Sequence, residues 1–236
     1  MEFGVVIPTY QRKDGRSPEL LRRAIDSVFN QTHKNFKIFL IGDKYDDDSE
    51  FRSIVSSYDP DKIYSENLPF AAEREKYDDP KIIWNYGGGY ANNYGIDKSI
   101  SEGKYYICHL DHDDWWHENH LYEINQCISE TNASFVFTTS TYGCPNTYLP
   151  VRNKVEKYIP FTPGPSRFIH SSVAMDFSKI NLRYENVYER DGQIGLAGDG
   201  DFWNRVGEYV SANGLLSYHV NIITCRHDEE GYMKTI

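Results

Sequence analysis

The chain has 236 residues, 39% of them hydrophobic and 25% charged, enough for one large domain or two small ones with a true core. Its formal net charge of −10 argues against free nucleic acid or an anionic membrane surface as a partner, since both ask for a basic face. The four cysteines, Cys108, Cys127, Cys144 and Cys225, form no C-x-x-C pair, so a structural zinc site is not expected and a reducing, cytosolic setting is.

Residues 3–7 (Phe-Gly-Val-Val-Ile) form an apolar strand that opens at Pro8-Thr9-Tyr10, not a signal peptide. Residues 18–30 carry Leu20, Leu21, Ala24, Ile25, Val28 and Phe29 at helical spacing, with Ser17 as candidate N-cap and Pro18 at the first helical position. A second strand over 36–41 ends at Gly42-Asp43, and a short helix is expected over 50–57. A strand is expected over 81–84, then the turn Gly87-Gly88-Gly89 and a helix over 90–101. Residues 105–110 read as a buried strand, 118–130 as a helix and 134–139 as a strand. This alternation predicts an α/β fold, a Rossmann-like, mostly parallel central sheet flanked by helices in a single domain. Five prolines mark 144–167 as a long connection, expected to be a mobile flap facing the acceptor of a reaction. Residues 168–177 are strand-like, 199–210 helical, 215–225 a strand, and 226–236 a polar tail. No apolar run approaches the length of a membrane span, so a soluble chain is expected, with peripheral membrane association left open.

The most informative stretch is Asp111-His112-Asp113-Asp114 at the end of the strand over 105–110. Its three carboxylates repel one another, and a divalent cation with a phosphorylated ligand would relieve them. Hard oxygen donors suit Mg²⁺ or Mn²⁺. The plain alternative is an acidic turn in a solvated loop. Ligands in α/β folds bind beyond the carboxyl ends of the strands, where Pro8, Thr9, Asp43 and Asp111 to Asp114 all fall. Asp43 could accept from a nucleobase imide or a ribose hydroxyl. Gly88, in the glycine turn, could bring backbone N–H groups to a phosphate, or simply turn the chain. Asp199 and Asp201 stand at a helix start, as caps or as a general base. His227, beside Arg226, could complete a metal shell or lie in an exposed tail.

Together these residues resemble glycosyltransferase family 2, the inverting, nucleotide-sugar-dependent enzymes of the GT-A fold. The segments that carry the resemblance are Val5-Val6-Ile7-Pro8-Thr9-Tyr10, Asp43, the stretch 85–96 with Asn93 and Gly95 in register, Leu110 to Asp114 with Trp115 or Trp116 behind it, Gly198 to Arg205, and Arg226-His227. Two positions depart from the pattern: Gly198 stands where a Glu is usual, and Asn92 where an Arg is common. The resemblance implies transfer of a sugar from a nucleoside diphosphate sugar, a UDP-sugar above others, to a hydroxyl of a glycan or other acceptor, assisted by Mn²⁺ or Mg²⁺. It implies a donor half over 1–116 and an acceptor half over 117–236. Pro8, Thr9, Tyr10, Arg12, Asp43, Gly88, Asn93, Asp111 and His112 would bind the nucleotide sugar. Asp113 would ligate the metal directly, with Asp111 as a ribose or water-mediated partner and His227 completing the shell. Asp199 would be the base, with Asp201 in reserve. The competing readings are a metal-dependent sugar nucleotidyltransferase or pyrophosphatase, for which Arg12, Lys13 and Arg16 would supply a phosphate loop, and a catalytically inactive nucleotide-sugar-binding module.

Overall fold

Strand β1 (Phe3–Thr9) is buried on both faces, which places it mid-sheet. The computed structural model that shows this describes residues 1–143, 147–150, 155–192 and 194–227. β1 pairs in parallel with β2 (Phe36–Gly42), from Phe3 opposite Phe36 to Thr9 opposite Gly42. On its other side it pairs in parallel with β4 (Tyr106–His109). β3 (Ile63–Asn67), which hydropathy alone does not reveal, extends the parallel set beyond β2. β9 (Val173–Asp176) is antiparallel between β4 and β6 (Phe135–Tyr142). β10 (Ser217–His227) runs parallel to β6, and β5 (Trp115–Trp116) closes the order β3-β2-β1-β4-β9-β6-β10-β5. The short strands β7 (Tyr148–Leu149) and β8 (Tyr158–Pro160) pair with β6 and β10. One sheet therefore runs through both expected halves.

Alternate side chains of β1 enter two cores, as the pleat dictates. Phe3, Val5 and Ile7 pack with Leu21, Ala24 and Ile25 of α1 (Ser17–Phe29) and with the core that holds Leu121 and Ile124 of α5 (His120–Thr131). Val6 joins Ile96 of α4 (Gly89–Ser101) and Phe202, Trp203 and Val206 of α7 (Gly198–Ala212). Each such side chain, once fully buried, contributes roughly 1.5–3 kcal/mol. Gly95 is needed where α4 meets this face, because a Cβ there would lie 2.7 Å from Val6 Cγ1.

Four local expectations are corrected. Residues 81–84 are not a strand but part of α3 (Pro80–Tyr86), whose cap is Asp79, accepting from the Lys81 N–H at 2.8 Å, with Pro80 in the first turn. That Asp-Pro pair is a helix-start signal. Ser17 lies inside α1 rather than capping it; its hydroxyl accepts from the Arg12 N–H and donates to the Tyr10 carbonyl, folding the loop after β1. Residues 168–177 are split by a short 3₁₀ turn (His170–Ser172) ahead of β9. In the helix expected over 50–57, α2 (Asp48–Val55) starts two residues earlier, capped by Asp47.

The described parts of the segment expected to be a flap include regular structure. β7 and β8 lie within it, Pro163 packs so closely on α7 that a Cβ at Gly207 would meet its carbonyl at 2.1 Å, and Phe161 sits 4.7 Å from Phe137, ring to ring. These contacts dock residues 155–167 on the sheet and α7. Residues 144–146 and 151–154, and the tail from 228, lie outside the described residues.

Candidate active site

The acidic stretch sits at the carboxyl end of β4, held by a clamp from a distant part of the chain. Ser171, in the 3₁₀ turn, accepts from the Asp111 N–H at 3.0 Å and donates to Asp114 Oδ2 at 2.5 Å. The Ser171 carbonyl accepts from the Trp116 indole at 2.6 Å. Asp114 is wholly buried and also receives His227 Nδ1 at 2.9 Å. Asp113 is buried, with Arg12 at 3.5 Å from its Oδ2. Asp111 keeps 37% of its side chain exposed. Desolvation by the surrounding protein nevertheless raises its carboxyl pKa; His170 opposes this, and Asp114 and Asp113 reinforce it.

The nucleotide-side residues gather at the neighbouring strand ends. Asp43 ends β2 and its N–H donates to the Thr9 carbonyl at 2.7 Å. Its carboxylate is buried, with Arg74 Nε at 2.8 Å from Oδ2 and no hydrogen-bond partner at Oδ1. Arg74 also lies over the ring of Tyr10, 5.6 Å from its centroid, and Tyr10 is 40% exposed. An unpartnered carboxylate oxygen beside a half-open aromatic ring can accept one N–H from a planar base stacked on that ring. His112 backs Tyr10 edge-on at 5.0 Å and is buried, which lowers its pKa; Pro8 lies beside it at the end of β1.

Other expected contacts are already engaged within the protein. Thr9 Oγ1 lies 2.7 Å from the Tyr45 hydroxyl, so Thr9 fixes the strand end. Asn93 uses both halves of its amide on the Tyr184 backbone, at 2.9 Å each, and is a clamp rather than a ligand contact. Gly88 precedes α4 as expected, but the Glu73 carboxylate, not a phosphate, lies there, accepting from the Tyr90 N–H at 2.9 Å. Glu73 is buried, which raises its pKa, and nearby Asp43 raises it further.

On the far side, the two candidate bases separate. Asp201 is buried, and both its oxygens are taken: Arg190 donates to Oδ1 at 3.0 Å and Arg205 to Oδ2 at 2.7 Å. A carboxylate so held is a structural hub, which corrects its reserve role as base. Asp199 is exposed and accepts only from the Gly200 N–H, at 2.7 Å, among the hydrogen bonds recorded for it. Gly198 fits a crowded place: a Cβ there would lie 3.3 Å from the Asn85 carbonyl. Tyr184 packs between the acidic stretch and α7. It is buried, stacks on Phe202 at 4.1 Å, and its phenol pKa is raised by burial, then by Asp199 and Asp111.

His227, expected to complete a metal shell, turns its Nδ1 to Asp114. Burial would lower its pKa, but the hydrogen bond to Asp114 and the charges of Asp114, Asp111 and Asp113 win and hold it up to about 9. Among the described residues no three His, Cys, Asp or Glu side chains converge as a metal cage. Asp111 and Asp113 fit a different kind of site, in which one or two carboxylates bind Mg²⁺ or Mn²⁺ and phosphate oxygens and water complete the shell. The mutual repulsion at Asp111 is the feature that such a cation relieves. Arg74, Glu73, Ser171, His170 and Tyr184 escape a reading of the sequence; none lies in a motif or at a strand end, and only the fold brings them here.

A profile of glycosyl transferase family 2 matches residues 4–190. The chain belongs to glycosyltransferase family 2. This family 2 chain is 35% identical over 242 residues to an uncharacterized glycosyltransferase, R139, of Acanthamoeba polyphaga mimivirus, covering 99% of this chain and 96% of the relative. It is 32% identical over 139 residues to the succinoglycan biosynthesis protein ExoW of Rhizobium meliloti, covering 59% of this chain and 38% of that one. Its fold is similar to S. aureus TarS 1–349 in complex with UDP, with a TM-score of 0.65 at 12% identity, covering 97% of this chain and 60% of that one. It is also similar to the mannosyltransferase PcManGT from Pyrobaculum calidifontis in complex with GDP-Man and Mn²⁺, with a TM-score of 0.60 at 10% identity, covering 98% and 58%. The chain thus spans about three fifths of the length of these solved glycosyltransferases, and at such identity they speak for the GT-A fold alone. No helix among the described residues is long and apolar enough to cross a membrane.

Proposed function

We propose that this family 2 chain transfers a sugar, with inversion, from a nucleoside diphosphate sugar to an acceptor hydroxyl. The observation that carries the reading is the acidic stretch just past β4, where Ser171 clamps the Asp111 N–H and Asp114 while Asp111 stays partly exposed, together with the exposed Asp199 at the start of α7. Tyr10 and the unpartnered oxygen of Asp43 would hold the base, and Asp111 the ribose or diphosphate side. A divalent cation held by Asp111 and Asp113 would neutralise charge on the leaving diphosphate as a Lewis acid. Asp199 would take the acceptor's proton as its oxygen attacks the anomeric carbon. The bond to the diphosphate breaks as the new glycosidic bond forms, and the electron pair leaves with the nucleotide. Uracil and guanine both present a ring N–H that Asp43 could bind. The structural neighbours in complex with UDP and with GDP-Man support testing both, with a UDP-sugar first. Nothing favours the nucleotidyltransferase reading, since Arg12 is turned to Asp14 and Asp113 rather than to a phosphate loop.

The test is a panel of UDP- and GDP-sugars, each with Mn²⁺, with Mg²⁺ and with a chelator, read by thermal stabilisation and by sugar transfer to glycan acceptors. Metal-dependent stabilisation by one donor class, followed by transfer, is the expected result. Stabilisation without turnover on any acceptor would favour the inactive binding module, and equal affinity after chelation would remove the metal.

A further inference from the structure

Behind the acidic stretch lies a polar cluster with no task in the reaction above. His170 is 9% exposed, and its Nε2 is buried without a hydrogen-bond partner, 4.0 Å from Asp111 Oδ1. Its Nδ1 lies 3.3 Å from the Tyr184 hydroxyl. The ring is gripped by His109, edge-on at 4.8 Å, and by Trp203 at 5.6 Å. His109 is fully buried, and burial holds it neutral, so it brings no competing charge. The Tyr184 phenol keeps its proton, because burial and two nearby carboxylates oppose its loss. A phenol that donates to Nδ1 leaves the proton of a neutral imidazole on Nε2, on the side of Asp111.

We propose that His170 is a positioning residue for Asp111, donating from Nε2 to Oδ1 when a nucleotide and its cation fill the cleft, with the Tyr184 hydroxyl fixing the tautomer. At 4.0 Å the contact is not yet a hydrogen bond, and a shift of about 1 Å would close it. Such contacts commonly tighten only in the loaded complex. The gripped ring gives Asp111 a fixed donor to close upon, as outer partners do for residues that bind metal or substrate. This inference rests on the nucleotide-binding reading of the site.

The test measures affinity for UDP with Mn²⁺, and for GDP with Mn²⁺ in a parallel arm, by titration calorimetry. Expected is a loss of about 10–100-fold in His170→Asn, whose amide reaches only as far as Nδ1, and in Tyr184→Phe, which keeps its stacking on Phe202. His170→Gln, whose amide nitrogen reaches as far as Nε2, recovers most of that loss. In an Asp111→Asn background, His170→Asn adds nothing further. Equal losses for Asn and Gln at position 170, or an undiminished loss in the Asp111→Asn background, would overturn the assignment while leaving the site reading intact. A wild-type protein that binds neither nucleotide would overturn both. Should His170→Asn fail to fold, Tyr184→Phe and His170→Gln decide the matter by themselves.

Discussion

Asp201→Asn and Asp199→Asn should fail in opposite ways. Asp201 is the carboxylate on which Arg190 and Arg205 converge, and it also ties α7 to α6 (Val187–Asp191), where Arg190 resides. Removing one partner of a fully buried ion pair costs about 3–5 kcal/mol. Here Arg205 is 17% exposed and Arg190 42%, so both can partly rehydrate, and Asn keeps the shape and one acceptor. The expected cost is therefore smaller, about 2–3 kcal/mol. At about 2–4 °C per kcal/mol for a domain of this size, the melting temperature should fall by roughly 4–12 °C. Asp199 is exposed and, among the described residues, bonded only to the Gly200 amide within its own turn, so Asp199→Asn should leave stability within about 0.5 kcal/mol. Transfer should instead drop by about 10²–10⁴-fold, the usual worth of a general base, with donor affinity unchanged. Calorimetric melts, donor titrations and transfer rates on the two variants separate the cases. An Asp201→Asn protein that melts like wild type yet transfers nothing, beside a fully active Asp199→Asn, would refute the reasoning and exchange the two roles.

Asp43→Asn should weaken binding of a uridine or guanosine nucleotide by roughly 10–100-fold, the worth of a charge-assisted hydrogen bond; unchanged affinity in a nucleotide titration would move the base elsewhere. Ser171→Ala unlinks the Asp111 N–H from Asp114 and leaves buried groups unsatisfied, so chemical denaturation should show a loss of about 1–3 kcal/mol, and no loss would mean the clamp is redundant. His227 is held at about 9, above its unfolded value of about 6.5. Its contribution to stability is therefore fully present below pH ~6.5 and lost as pH rises through ~9. Ligand-free wild type should lose stability across that window, and His227→Asn should lose less; matching pH profiles for the two would show that the Asp114 contact carries no such linkage.

The donor half is legible because its chemistry sits at the ends of strands. Apolar runs mark β1, β2 and β4, and the residues just past an apolar run in an α/β sequence lie at the ligand-facing edge, which is how Tyr10, Asp43 and Asp111 stand out. Gly95 is legible as a pattern and illegible as physics until Val6 is seen beneath it. The rest is hidden because it depends on who meets whom. Asp199 and Asp201 are equivalent in sequence, two acids in one helical turn, and only the positions of Arg190 and Arg205 tell them apart. Ser171 looks like one more small polar residue in a strand-like stretch, yet the 3₁₀ turn aims it at Asp114. The prolines of 144–167 hide two short strands, since proline is compatible with a strand end, and β8 ends on one.

The distribution of charge compensation carries the functional argument further than any motif does. A chain of net charge −10 must arrange its carboxylates against a shortage of cations. Among the described residues of this site, Arg12 pairs with Asp14 and Asp113, Arg74 with Asp43, Arg190 and Arg205 with Asp201, and His227 with Asp114. Each of these pairs lowers the self-repulsion of the folded state. Asp111 and Asp199 stand apart. The first has only a histidine nitrogen at 4.0 Å, and no ion pair among the described residues is recorded for the second. Negative charge at those two points fits the proposed reaction. A cation with a diphosphate at Asp111 and a hydroxyl proton at Asp199 are the two uses that glycosyl transfer requires, on opposite sides of the bond that is exchanged.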